Sequence, residues 1–164
     1  MLKLPAHLYL DKLGIDYTTQ SFSLDSEKGA ISVANKIGFP KWQTLKTLIF
    51  EAGNGECVMV LLGGDQSAIS GNLKKAIGSR DIRMAASEVV KETTGYVVGS
   101  IPPFNWQPEG FRSYLEASLL NEPLLAVGAG QWGQEIFITP QNLIKATKTI
   151  IVNLMDKDQP VYQE

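Results

Sequence analysis

The spacing of apolar and polar positions divides the chain into short segments of two periodicities. Residues 5–13 carry a helical pattern that opens near Pro5 and stops at Gly14. Residues 17–22 alternate and are rich in threonine and aromatic side chains, as a strand should be. Ala30, Val33, Ala34 and Ile37 fall at i, i+3, i+4 and i+7, one face of a helix that Gly38 ends and Pro40 keeps from continuing. Two apolar runs, 45–52 and 56–62, flank Gly53-Asn54-Gly55, where an asparagine–glycine turn supplies the positive φ angles of a tight hairpin. After Gly63 and Gly64 the pattern predicts a helix over 67–77, a short strand over 82–85 and a helix over 87–92. Strands come next over 111–117, 124–127 and 135–138. Thr139-Pro140 then opens a helix reaching Ala146, because threonine caps free amides and proline fits the first helical position. A last strand over 149–154 precedes a polar tail, 156–164, expected to fray. This order predicts an α/β (mixed α+β) fold. It forms one domain over 1–164, with a core over about 15–154 and helices around a mixed, largely antiparallel sheet.

One residue breaks the apolar pattern. Within the run 45–52, Leu45, Thr47 and Ile49 share one strand face while Lys46, Leu48 and Phe50 share the other. Both faces are largely apolar, so the Lys46 ammonium either snorkels to an edge or points into a polar cavity. The first reading makes Lys46 a packed stem with a solvated head. The second makes it a candidate for chemistry or anion recognition.

Composition then narrows the chemistry. Of 164 residues, 44% are hydrophobic and 20% charged, an ordinary balance for a globular domain. No apolar run is long enough to span a bilayer, and the first residues lack the apolar core of a secretion signal, so a cytoplasmic location is expected. The single Cys57 rules out an internal disulfide and reads as a buried, inert thiol in mid-strand. With one histidine and one cysteine, no common zinc cluster can form, and a serine–histidine–carboxylate relay would have to use His7. His7 lies in the first helical segment, away from any nucleophile motif, and reads as a surface or helix-face residue. An enzyme built on this chain would move protons through lysine, a carboxylate, water or its substrate. The net charge of −2 excludes a strong nonspecific nucleic-acid field. Local basic groups remain at Lys74, Lys75, Arg80 and Arg83 and at Lys145 and Lys148, each of which also fits a solvated face.

Two glycine-rich stretches are candidate walls of a site. In Thr94-Gly-Tyr-Val-Val-Gly-Ser-Ile-Pro-Pro-Phe104, Gly95 and Gly99 allow unusual backbone angles while Pro102 and Pro103 stiffen the end of the loop. Such a loop can offer amides to an anion or a carbonyl oxygen, or it can simply connect a helix to a strand. It lacks the glycine–lysine–serine/threonine ending of an ATPase phosphate loop. In Val127-Gly-Ala-Gly-Gln-Trp-Gly133, the glycines would suit a dinucleotide only if a helix came after them; a strand pattern does instead, which leaves a tight connection. Glu116 shares a strand face with Tyr114 and Arg112 and reads as a solvated acid, a partner of Arg112, or a group that binds a substrate ammonium or steers water.

Taken in order, these pieces resemble the YbaK/ProX family of aminoacyl-tRNA deacylases, trans-editing proteins related to the editing domain of prolyl-tRNA synthetases. The resemblance rests on Leu45-Lys46-Thr47-Leu48, Thr94-Gly95-Tyr96 with Gly99 and Pro103, Glu116, and Ala129-Gly130 with Gly133. It covers about residues 15–146. It implies a hydrolase acting on the ester of a mischarged small amino acid on tRNA, with tRNA for proline as a candidate. Lys46 would be the characteristic active-site residue, positioning the terminal adenosine and its phosphate. Gly95, Tyr96, Gly99, Ser100, Ile101, Pro103, Glu116, Gly128 and Gly130 would line the substrate site. Water, or a group on the substrate, would be the nucleophile, and no metal or organic cofactor is implied. The expected partners are the aminoacyl-tRNA 3′ end and, as a candidate, an aminoacyl-tRNA synthetase, with neither DNA nor a membrane.

The sequence departs from the family pattern in three places. Ser100 adds bulk and a hydroxyl at the pocket wall, Glu116 stands where members commonly carry aspartate, and Asn105-Trp106 opens a longer loop that would cover the pocket or stack on RNA. A second reading, from another class, keeps the fold but not the reaction: a non-catalytic module binding tRNA, a synthetase or a small metabolite.

Overall fold

The computed structural model describes residues 3–25 and 28–162. Helix α1 (Pro5–Leu13) begins at its proline and ends on Gly14, whose φ of 69° closes the last turn. Strand β1 (Thr18–Ser21) comes next, then α2 (Ala30–Ile37), capped the same way by Gly38. A 3-10 turn at Lys41–Gln43 leads into β2 (Leu45–Ala52), which folds back onto β3 (Cys57–Gly63) at the predicted asparagine–glycine turn, where Gly55 alone, with φ of 87°, takes a positive angle. Helix α3 (Ser70–Ile77), β4 (Ile82–Met84) and α4 (Ser87–Thr94) succeed them. A long loop reaches β5 (Ser113–Glu116) and a second 3-10 turn, Ala117–Asn121. Strands β6 (Leu125–Gly128) and β7 (Gln134–Ile138), helix α5 (Pro140–Thr147) and β8 (Ile150–Val152) complete the chain. The Thr139 side chain accepts from Asn142 N–H, so it caps α5 as its position before a proline suggests.

The strands form two sheets, one with order β1-β7-β6 and one with order β4-β2-β3-β5-β8. The mixed α/β class is as expected, although the single predicted sheet is divided. Pairing is antiparallel except for β3–β5 and β5–β8, which are parallel. The sheets meet at a parallel bridge between Thr44 and Ala126.

The main core lies between the sheets. It joins Leu45, Ile49, Met59, Leu61 and Leu115 of the larger sheet to Leu125, Val127, Ile136 and Ile138 of the smaller one, with Leu10 of α1 and Leu143 of α5. Each such side chain, taken fully out of water, contributes about 1.5–3 kcal/mol. The opposite face of the larger sheet, with Val58, Val60 and Leu62, packs on Leu73 and Ile77 of α3. The outer face of the smaller sheet, with Ala126 and Phe137, packs on Val33 and Ile37 of α2.

Three expectations change. The tail is not frayed over its described length: Asn153 N–H donates to Val161 O at 2.8 Å, Tyr162 bridges Val152, and Val161 is buried in the outer core. The apolar Val161 gives an otherwise polar segment its anchor. Residues 163 and 164 lie outside the described residues. His7 is on a helix face but fully buried, its Nδ1 accepting from Leu4 N–H at 2.9 Å and its ring stacked on Tyr17. Burial pushes its pKa down, and the nearby Lys3 charge adds to this. Cys57 is only partly buried and faces the Thr93 hydroxyl at 3.8 Å.

Candidate functional site

The seam between the sheets opens into a cavity of about 220 Å³. Five consecutive residues at the start of β2, Thr44 to Leu48, form one wall. Gly29, just before α2, and Ala30 and Val33 of α2 form another, and Val98, Gly99 and Ile101 of the long loop face them. Gly128 and Glu135, opposite each other on β6 and β7, complete the lining.

Lys46 is half-buried at this wall and makes no ion pair or hydrogen bond among the described residues. Burial pulls its ammonium below the usual lysine range, and the negative charge of Asp65 offsets part of that. The same side chain borders a second groove of about 460 Å³. There Leu48, Phe50 and Leu62 form an apolar floor with Lys74 and Arg83 beside it. Two members of the basic group at 74–83 thus border this groove, both exposed, and Arg83 donates to Glu51 at 2.9 Å. Lys46 thus has a half-buried stem and borders two cavities.

The long loop owes its shape to contacts inside itself and with the β6–β7 turn. Thr94 Oγ1 donates to Val90 O at 2.8 Å and accepts from Tyr96 N–H at 3.0 Å, joining the end of α4 to the loop. Gly130, with φ of 95°, lies so close to Tyr96 that an added Cβ would stand 2.7 Å from its ring. The Tyr96 hydroxyl accepts from Asn105 Nδ2 at 3.0 Å. A Cβ on Gly128 would meet Ile101 O at 3.0 Å, so the absence of a side chain lets the loop close against β6. The Ser100 hydroxyl is turned into the loop and donates to Val97 O at 3.2 Å, and Ser100 N–H donates to the same oxygen. The amides of Gly99 and Ile101 donate to no described group.

Of the residues expected from sequence, Lys46, Gly99, Ile101 and Gly128 line the cavity. Gly95, Tyr96, Ser100, Pro103 and Gly130 are not part of that lining, although Tyr96 and Gly130 pack on each other. Glu116 is elsewhere. It is buried at the far end of β5, where its carboxylate accepts from Ser118 N–H at 2.9 Å and Leu154 N–H at 2.8 Å. Nor does it pair with Arg112, which holds Glu56 through two hydrogen bonds of 2.8 and 2.7 Å. Trp106, partly buried, packs edge-on against Phe111 and its indole N–H donates to Pro102 O.

The acid in the cavity is Glu135, which is not among the residues expected from sequence. It is 6% exposed, and burial alone acts on it, pushing its carboxyl up to about 8. A signal was present. In Gln134-Glu-Ile-Phe-Ile138, Glu135 shares a face with the buried Phe137, the same kind of conflict that marks Lys46. Among the described residues no group of three His, Cys, Asp or Glu side chains is arranged to hold a metal ion. No described helix is long and apolar enough to cross a membrane.

Residues 26–146 match the family model of the aminoacyl-tRNA editing domain. The chain belongs to that family. This editing domain is 29% identical over 121 residues to the multifunctional Ser/Thr-tRNA deacylase ProXp-y of Escherichia coli, covering 68% of each chain. It is 26% identical over 129 residues to a protein of Enterococcus faecalis named, as a candidate, Cys-tRNA(Pro)/Cys-tRNA(Cys) deacylase EbsC, covering 79% of this chain and 78% of that one. A proline–tRNA ligase of Maridesulfovibrio salexigens is 33% identical over 99 residues, 60% of this chain but 17% of the ligase. Among solved structures, a candidate trans-editing enzyme for prolyl tRNA synthetase superposes with a TM-score of 0.82 at 23% identity, covering 95% of this chain and 99% of that one. At that identity the match speaks for the fold.

Proposed function

We propose that this editing domain is a trans-editing aminoacyl-tRNA deacylase. It acts in the cytoplasm on the ester of a mischarged small amino acid, with tRNA for proline as the leading candidate. The observation that carries the reading is the Lys46 ammonium, unpaired among the described residues, at the edge of a small cavity bordered by a glycine-rich loop. A volume of about 220 Å³ admits the amino-acid end of the ester, and the Ser/Thr-tRNA and Cys-tRNA deacylases among the relatives support a small amino acid there. Lys46, with Lys74 in the adjoining groove, offers positive charge to the terminal phosphates while its stem rests on Leu48 and Leu62; Arg83, also in that groove, is paired with Glu51 at 2.9 Å.

The reaction itself asks little of side chains. Water adds to the ester carbonyl carbon, the carbonyl oxygen takes up negative charge, and the ribose oxygen leaves with a proton. The Gly99 and Ile101 amides, which donate to no described group, are the donors available for that developing charge. Lys46 serves in this scheme as a positioning cation, not as a nucleophile.

The test is turnover of a panel of mischarged tRNAs by wild type and Lys46→Ala, with folding followed by circular dichroism. Hydrolysis of at least one small aminoacyl ester by wild type, and its loss in a folded Lys46→Ala, is the expected result. Near-normal turnover by Lys46→Ala would refute the role given to the cation. Binding without hydrolysis across the whole panel would favour the non-catalytic module.

A further inference from the structure

We propose that Glu135 anchors the α-ammonium group of the aminoacyl ester, so that the site takes aminoacyl-tRNA with a free amino group and rejects its N-acylated forms. The proposal rests on reading the cavity as the deacylase site, and it assigns the end of the cavity that Lys46 does not serve.

The β6–β7 register pairs Glu135 with Gly128, and directly opposed residues point to the same face of a sheet. On that face the backbone carbonyls of Ile101 and Ser100 approach the position of a Gly128 Cβ to 3.0 and 3.4 Å. No described residue donates a hydrogen bond to either carbonyl. The Glu135 carboxyl, which burial keeps protonated until about pH 8, and the unpaired carbonyl oxygen of Ile101 therefore line one end of the cavity, with that of Ser100 just behind, and a cation bound there would draw the carboxyl into its ionised form. The neighbour of Glu135 on β1, Gln20, spends its amide on Ile37 O at 3.4 Å. Gly29, just before α2, and Ala30 and Val33 of α2, which face the cavity, carry no charge. Lys28 lies along Gly99, and Lys46 stands on the β2 wall, yet burial is the sole influence resolved on the Glu135 carboxyl.

An acceptor-rich, donor-poor end calls for a cation that carries several N–H donors. In an aminoacyl ester the α-ammonium is the group of that description, and it is present whatever the side chain. The exposure gradient fixes the direction of entry. Lys46 is half-buried and Glu135 is nearly sealed, so the phosphate stays at the mouth and the amino acid occupies the depth. Opposite charges at the two ends would hold the ester in one orientation and stop it from sliding. An N-acyl group removes the positive charge and adds bulk where Gly128 and Ile101 already touch.

The experiment compares wild type, Glu135→Gln and Glu135→Asp on a mischarged tRNA and on the same tRNA after N-acetylation of its amino acid. Binding of a 3′-aminoacylamino-3′-deoxyadenosine, which cannot be hydrolysed, is measured in parallel with and without the N-acetyl group. Wild type should prefer the free amine by roughly ten- to a hundredfold in kcat/KM and in Kd, the scale of one hydrogen bond to a charged group. Glu135→Gln should lose most of that preference, and Glu135→Asp should keep part of it. Equal handling of both forms by wild type, or a preference that survives intact in Glu135→Gln, overturns the assignment. A binding preference without turnover of either tRNA would sustain the ammonium anchor and remove the deacylase reading.

Discussion

Replacing Glu135 by glutamine should stabilise the protein, and by more as the pH rises. The structure gives the magnitude. Burial lifts the Glu135 carboxyl from 4.5 to about 8, and at 1.36 kcal/mol per pH unit the charged form is disfavoured by about 5 kcal/mol. In the unfolded chain the same carboxyl ionises near its ordinary value. Between those two values the folded state holds a proton that the unfolded state has lost, so stability falls as pH rises through this window. Below it both states are protonated, and above it both are ionised and the full cost is present. Glutamine has nearly the same shape and does not titrate. The stability difference between Glu135→Gln and wild type should therefore grow by about 4 kcal/mol from about pH 5 to about pH 9. Urea denaturation of both proteins at a series of pH values, with linear extrapolation to zero denaturant, measures this directly. Groups common to both proteins cancel in the difference. Stability curves that stay parallel within about 1 kcal/mol across the range would show that the carboxyl ionises normally, and the reasoning would be wrong.

The same geometry sets other outcomes. Lys46→Ala should fold normally and lose roughly ten- to a hundredfold in kcat/KM, the worth of a charge-assisted contact, as read by single-turnover deacylation. Gly130→Ala should cost about 1–3 kcal/mol and blunt activity, because φ of 95° and a Cβ 2.7 Å from the Tyr96 ring force the loop aside; thermal melts and kcat/KM check both effects. Glu116→Gln should cost about 1–3 kcal/mol by leaving one buried amide without its acceptor, while turnover per folded molecule stays near wild type. Ending the chain at Asp156 should remove the Val161 anchor, cost about 1.5–3 kcal/mol and accelerate hydrogen exchange in β8.

Local signals carried much of the fold. The bounds of α1, α2 and β2 are those of the apolar pattern, because Pro5, Gly14, Gly38 and the Asn54 turn act within a few residues of themselves. The pairings of β5 with β3 and β8 join segments far apart in the chain, and no local pattern encodes them. The split into two sheets was hidden for the same reason. At the site, Lys46 was legible as a charge on an apolar strand face. Glu116 misled because an acid in a strand looks alike whether it faces a ligand or two backbone amides. Glu135 broke the pattern of β7 as plainly as Lys46 broke that of β2, but a short strand beginning with two polar residues resembles an ordinary solvated edge. Val161 lay in a polar tail, where one apolar residue gives no periodicity to read.

The cavity wall contributed by β2 is a continuous stretch of chain from Thr44 to Leu48, fixed by its pairing with β3. The facing wall is a set of small aliphatic side chains, Ala30, Val33, Val98 and Ile101. One half of the mould is thus rigid, and the other can be recut by single substitutions. Each methylene gained or lost there shifts discrimination by about 1–3 kcal/mol without moving the cation or the acid. On the proposed deacylase reading, single substitutions at those four positions should change which small aminoacyl ester is hydrolysed, as a panel of mischarged tRNAs would read.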